Sequence, residues 1–191
     1  MGRRKTYDRD DVAQRAMDVF WRKGYEAATI QELERALDIN RYSLFAEFGS
    51  KEGLFEAALE VYEAVVVTAN LGAMEGPEAT IDDVIAFFDG CRGGSDERAL
   101  AGCMLCNAAV GRSPDSAPVQ TRALRYFTRL EAAFRNALRH TVAPDALDAS
   151  AASLGSATLG LFVQARGGLS SERRAQVLDG LVHGVRALAR P

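Results

Sequence analysis

Residues 29–51 constrain this chain more than any other stretch, because three helix-start signals crowd into them. Thr29 followed by Glu32 is a capping box, in which each side chain satisfies a free backbone N–H at the other's position. Asn40 and Ser50 are residue types that cap helix N-termini. The spacing predicts a short helix from Ile30 to about Leu37, then a turn at Asp38 with a left-handed residue. A second short helix follows from Asn40 to about Phe45, and a longer one starts at Lys51 and carries Leu54, Phe55, Ala58, Leu59 and Tyr62. Upstream, Val12, Ala16, Val19 and Phe20 share one helical face, and Gly24 ends it. Two short helices across a tight turn, braced by a longer one, are the parts of a helix-turn-helix. A plain bundle corner has the same pattern, so at this point DNA binding and simple packing both stay open.

The rest of the chain is also helical in its apolar spacing. Helices are predicted at about 81–91, 99–110, 118–139, 146–166 and 171–189, after a break at 72–77. Gly93-Gly94-Ser95, Ser113-Pro114, Pro144 and Gly167-Gly168 mark the other breaks, and no segment alternates with period two. The fold class is all-α. No run approaches 18 apolar residues, so no membrane span is expected. Three cysteines, an odd number, give no disulfide framework and fit a reducing cytoplasm. The net charge is −3, yet residues 1–51 carry ten bases against nine acids, leaving the excess acid in the remainder. The concentrated feature is Arg3-Arg4-Lys5, with no acid before Asp8. Where charge sits matters more for nucleic acid than the total does.

With these residues in view, Phe20-Trp21-Arg22-Lys23-Gly24-Tyr25-Glu26-Ala27-Ala28-Thr29-Ile30 and the stretch from Asp38 to Phe55 resemble the TetR family of bacterial transcriptional regulators over roughly residues 8–62. The resemblance implies about nine helices: a helix-turn-helix DNA-binding domain over 1–50, and a helical ligand-binding and dimerisation body over 51–191. It implies double-stranded operator DNA as partner, a palindromic site, and repression relieved by a small-molecule effector. No enzyme activity and no cofactor are expected.

Carried onto this sequence, Thr29 and Lys51 would meet phosphates, while Asn40, Arg41, Tyr42 and Ser43 would open the recognition helix toward bases or phosphates. Lys neutralises phosphate without reading sequence, whereas Arg41 has the geometry to read guanine. Arg3, Arg4 and Lys5 resemble a basic arm laid along the minor groove. Four departures stand out. Asp38 replaces the usual turn glycine, Phe45 replaces a tyrosine that donates to phosphate, Ala46 replaces a common histidine, and Glu47 brings a negative charge toward DNA. Phe45 and Glu47 keep an alternative alive, a helical interaction or adaptor protein that retains the fold but has lost operator binding.

In the body, Gly102-Cys103-Met104 with Asn107 and a downstream Ser113-Pro114-Asp115 resemble a segment of one TetR subgroup. Cys103 and Cys106 lie one helical turn apart. One reading is a thiol sensor of electrophiles, oxidants or soft metal; the other is two small buried hydrophobes. An oxidoreductase Cys-x-x-Cys is set aside because no strand precedes it and Ala99–Gly102 reads as helical. No metal site is expected: His140 and His183 lack ligand spacing to the cysteines. Phe88, Cys103, Met104, Cys106, Tyr126, Phe127, Leu130 and Phe162 are the expected pocket lining, suited to a lipophilic or thiol-reactive effector. Small residues on the last two helices, Ala152, Gly155, Ser156, Leu159 and Val163 with Val177, Leu181, Gly184, Val185 and Leu188, fit a homodimer bundle.

Overall fold

The computed structural model describes residues 7–93, 100–111 and 117–189. Among them lie nine helices and no strand: α1 (Arg9–Lys23), α2 (Ile30–Leu37), α3 (Arg41–Phe48), α4 (Lys51–Glu75), α5 (Ile81–Gly90), α6 (Met104–Gly111), α7 (Ala117–Leu138), α8 (Pro144–Arg166) and α9 (Ser171–Leu188).

The start signals work as the chemistry demands. Asp8 caps α1 by accepting from the Asp10 and Asp11 amides, and Thr29 and Glu32 form the reciprocal box at α2. Asn40 accepts from the Ser43 amide at α3, and Ser50 from the Gly53 amide at α4. Asp38 is left-handed, at φ 50 and ψ 45. Val12, Ala16 and Phe20 of α1, Leu33 and Leu37 of α2, Leu44 of α3 and Leu54, Phe55 and Leu59 of α4 close one buried cluster under the first three helices. Burying each such side chain contributes about 1.5–3 kcal/mol.

Helix α4 runs further than its apolar pattern indicated. It continues through the 72–77 break to Glu75 by way of one π-helical turn at Glu63–Val67. A π-turn inserts a residue into the helix and turns the following face. An ionic ladder from α7 flanks it: Arg122 pairs with Glu60 (3.1 Å) and with Glu63, Arg125 with Glu63 (3.5 Å), and Arg129 with Glu75 (2.6 Å). Helices α4 and α8 are long and apolar enough to cross a bilayer by length and composition alone. Both instead pack against α7, α4 through this ladder.

A second difference lies at the start of α6. The helical reading of Ala99–Gly102 fails at Gly102, whose φ is +67, and α6 begins only at Met104. The run Ala-Leu-Ala-Gly is apolar and small, so it imitates helix in sequence. Asn107 holds the turn by donating from its side-chain amide to the Ala101 carbonyl (2.7 Å).

Candidate nucleic-acid interface and the joint behind it

Helix α3 buries Leu44 and Phe48, leaves Ser43, Phe45 and Glu47 half-buried, and exposes Arg41, Tyr42 and Ala46. Arg41 and Tyr42 are exposed, Tyr42 to 85%. The Arg41 amide donates to the Glu34 carboxylate (2.5 Å), and its guanidinium lies over the Phe45 ring at 5.3 Å. Phe45 therefore supplies no hydroxyl but does supply a platform that holds the arginine at the helix start. Asn40 spends its side-chain oxygen on the cap (2.9 Å to the Ser43 amide), which leaves its NH₂ group as the donor it can offer outward.

Thr29 and Lys51 sit at two further helix N-termini, which favour anions. Lys51 Nζ lies 4.4 Å from the Tyr25 ring centroid, so its cation is directed by an aromatic face. At Thr29 the local charge is mixed: the hydrogen bond from Lys23, with those from Thr29, holds the Glu32 carboxyl down at about 2. Glu47 is turned toward the chain start, where the Tyr7 hydroxyl donates to it (3.4 Å) and Arg9 pairs with it (3.9 Å). Arg3, Arg4 and Lys5 lie outside the described residues, as does Ser113-Pro114-Asp115.

Behind this head, the C-terminal end of α1 is fastened to the body. The Trp21 indole N–H donates to the Gly102 carbonyl (2.7 Å, buried), and its ring meets Tyr62 edge-on at 4.9 Å. Arg166, at the end of α8, donates to the Trp21 and Arg22 carbonyls (3.3 and 2.5 Å). Next to this joint lies a cavity of about 590 Å³ whose walls include Trp21, Tyr62, Phe87, Cys91, Phe162 and Arg174. Burial pushes the Cys91 thiol up to about 12, against the pull of the Arg174 charge, so it is a poor nucleophile.

The eight residues expected to line a pocket are spread by the structure over several surroundings. Phe162 is on the wall of the cavity just described. Met104 borders a smaller recess of about 310 Å³ between the α1–α2 turn and α6, and Tyr126 borders a groove against Glu60, Glu63 and Arg129. Phe88 and Leu130 are fully buried, Phe88 stacked on Phe134 at 5.8 Å, and Phe127 meets Tyr126 at 5.9 Å. Trp21, Tyr62 and Arg174 are wall residues that the sequence reading missed. A tryptophan in the first helix and an arginine in the last give no local signal that they share a cavity.

Cys103 and Cys106 are both buried. Cys103 sits immediately before α6, its carbonyl accepting from the Asn107 amide (2.9 Å). Burial pushes its thiol up, but hydrogen bonds from the Cys106 thiol and amide, Tyr62 and Tyr126 outweigh that and bring it to about 7. Cys106, the donor of the pair, is raised, and burial followed by the neighbouring thiolate charge raises Tyr62 and Tyr126.

A short capped helix pair whose second member exposes Arg41 and Tyr42, braced by α1 and α4, is a helix-turn-helix set on a helical body. Comparison with known proteins gives the family. Residues 13–58 match the model for bacterial regulatory proteins of the tetR family. The chain is 37% identical over 122 residues to the HTH-type transcriptional repressor ComR of Escherichia coli, an alignment spanning 62% of this chain and 57% of ComR. It is 30% identical over 141 residues to the HTH-type transcriptional regulator YezE of Bacillus subtilis, covering 73% of this chain and 71% of YezE. Among solved structures, a cysteine-substituted form of the TetR family regulator CifR with 26-bp double-strand operator DNA superposes at a TM-score of 0.80 with 30% identity, over 95% of this chain and 98% of that one. The chain belongs to the TetR family of bacterial transcriptional regulators.

Proposed function

We propose that the chain is a homodimeric repressor that binds a palindromic operator and is released by a small lipophilic effector. The observation that carries this reading is the cavity beside the Trp21–Gly102 joint. One of its walls, Trp21, belongs to the DNA-binding helix α1, and Tyr62 belongs to α4, which begins at Lys51 in the reading head. An occupant that spreads these walls would shift α1 and the base of α4 together, changing the separation of two recognition helices in a dimer. Phe87, Phe162 and Leu161 make much of the lining apolar, with Asn70, Asp83 and Arg174 as its polar groups. That balance suits an aromatic or aliphatic body with a polar end.

The dimer surface proposed is the exposed part of α8 and α9: Ala152, Ser156 and Val163 stand out, with Leu159 beside them, and Leu181, Gly184 and Leu188 continue it on α9. Gly155 and Val185 are not part of it, since both are buried within the chain, Gly155 against Glu131. The interaction-protein alternative rested on Phe45 and Glu47. It loses its footing where Phe45 supports Arg41 and Glu47 is engaged by Tyr7 and Arg9.

A ligand shifts an equilibrium only by its difference in affinity for the two states. The test is to titrate aromatic and fatty carboxylic acids into the protein alone and into its DNA complex. An inducer binds the free protein at least tenfold more tightly and quenches Trp21 emission; equal affinity for both forms, across every compound that enters the cavity, rejects the effector reading.

A further inference from the structure

Two helix ends meet at Glu34. Its main-chain carbonyl closes α2, accepting from the Asp38 amide and, at 3.3 Å, from the Ile39 amide. Its side-chain carboxylate opens α3, accepting from the Arg41 amide at 2.5 Å, seven positions further on. Asn40 takes the Ser43 amide in the same turn (2.9 Å), so the protein itself satisfies two of the donors that open the recognition helix. Helix N-termini are otherwise places where anions, phosphate among them, bind. Here the first N–H of α3 already holds a carboxylate, from a side chain that is half-buried. Arg41 is thereby held at both ends, by its amide on Glu34 and by its guanidinium over the Phe45 ring at 5.3 Å.

Resting on the DNA-binding reading above, we propose that Glu34 is a positioning residue for sequence reading. Its carboxylate fixes the backbone of Arg41, so that the guanidinium meets one base edge from a set direction, and it withholds the first amide of α3 from phosphate. Both effects act on specificity more than on affinity. A base contact discriminates through the geometry of its donors, and a loose arginine reaches wrong bases and phosphates as well. Anchoring its backbone and laying its plane on an aromatic ring removes in advance part of the freedom that binding would cost. An open amide would act the other way, since backbone N–H groups at a helix N-terminus hold phosphate whatever the sequence. The carboxylate's negative charge does weaken attraction to phosphates, but it does so for every duplex alike. Charge therefore moves all affinities together, whereas positioning moves the ratio between them.

The probes are the duplex that the wild-type chain recovers from a randomised pool and a scrambled duplex of the same composition, titrated with the same preparation. Any unfolded fraction lowers both affinities by one factor and cancels in their ratio. Glu34→Ala is expected to lower the ratio of selected to scrambled affinity by about five- to tenfold, part of what a two-hydrogen-bond base contact contributes. Binding to the scrambled duplex should meanwhile tighten by about twofold, because an anion near phosphates is gone. Glu34→Gln loses the same charge but keeps an acceptor for the Arg41 amide, so its ratio should stay within about twofold of wild type. In an Arg41→Ala chain, Glu34→Ala should change the ratio less than about twofold, because its effect acts through that arginine. A ratio unmoved by Glu34→Ala would overturn the proposal. So would an equal loss in Glu34→Gln, which would assign the effect to charge, or an undiminished loss in the Arg41→Ala chain, which would assign it to α3 as a whole. A wild-type chain that prefers no duplex over the scrambled one would instead count against the DNA-binding reading itself.

Discussion

Replacing Gly102 with alanine tests how the reading head is fastened to the body. Gly102 has φ +67, and a methyl built on it would run into the Phe162 carbonyl oxygen of α8. Its own carbonyl accepts the buried Trp21 indole N–H. A non-glycine residue in left-handed backbone costs about 1–2 kcal/mol. Forcing a methyl into a packed site costs about 1–3 kcal/mol, and if the turn moves aside, the indole is left unpaired at a cost of about 1–3 kcal/mol. These overlap because relieving one incurs another, so the expected loss is about 3 kcal/mol, or a fall of roughly 6–12 °C in Tm for a chain this long. Urea unfolding at fixed protein concentration measures it, since a dimer's midpoint depends on concentration. Trp21 is the single tryptophan, so its emission reports the joint directly. The control is Gly72→Ala, at an exposed helical site with nothing within 4 Å, which should stabilise by about 0.5–1 kcal/mol. A loss below about 1 kcal/mol for Gly102→Ala, with Trp21 emission unchanged, would refute the claim that these contacts fix the joint.

Asp38→Gly should stabilise the chain by about 1 kcal/mol, because φ 50 is strained for any side chain, and chemical denaturation will show the sign. Lys51→Ala should weaken selected and random duplexes alike and lower the salt slope by about one. Arg41→Ala should cost about 1–3 kcal/mol at one operator position; equal effects of the two substitutions on selected and random DNA would remove Arg41 from base reading. The ultraviolet absorbance of the Cys103 thiolate should rise with a midpoint near 7 and vanish in Cys103→Ser. Because that lies below the ordinary value of 9.0, the folded state gains stability as pH rises from about 7 to about 9 and loses it as pH falls through about 7. Tyr62→Phe removes a donor and should move the midpoint up, and a midpoint at or above 9 in the parent would contradict the assigned surroundings.

The head was legible because its signals are local. Thr29 with Glu32, Asn40, Ser50 and the left-handed Asp38 each act within four residues of themselves, and each does in the structure what its side-chain chemistry requires. The body was legible in helix number and direction but not in its joints. Helix α4 runs on to Glu75 because arginines some 60 residues away brace the π-turn, and no pattern within 63–67 announces that. Gly102 looked like one more small helical residue; what sets its backbone is contact with Phe162 and Trp21, from opposite parts of the chain. The same distance hid the surroundings of Glu47 and Trp21. Where apolar residues were assigned to a pocket, composition alone did not separate a wall such as Phe162 from a core residue such as Phe88.

The central claim, sequence-selective binding by a dimer released by an occupant of the body, is tested most directly by footprinting on the DNA upstream of the chain's own gene. The account predicts a protected palindrome, cooperative in protein, lost steeply as salt rises and lost again when a compound that quenches Trp21 is added. Protection with no sequence preference over a scrambled duplex, or a footprint that persists with the cavity filled, would contradict it.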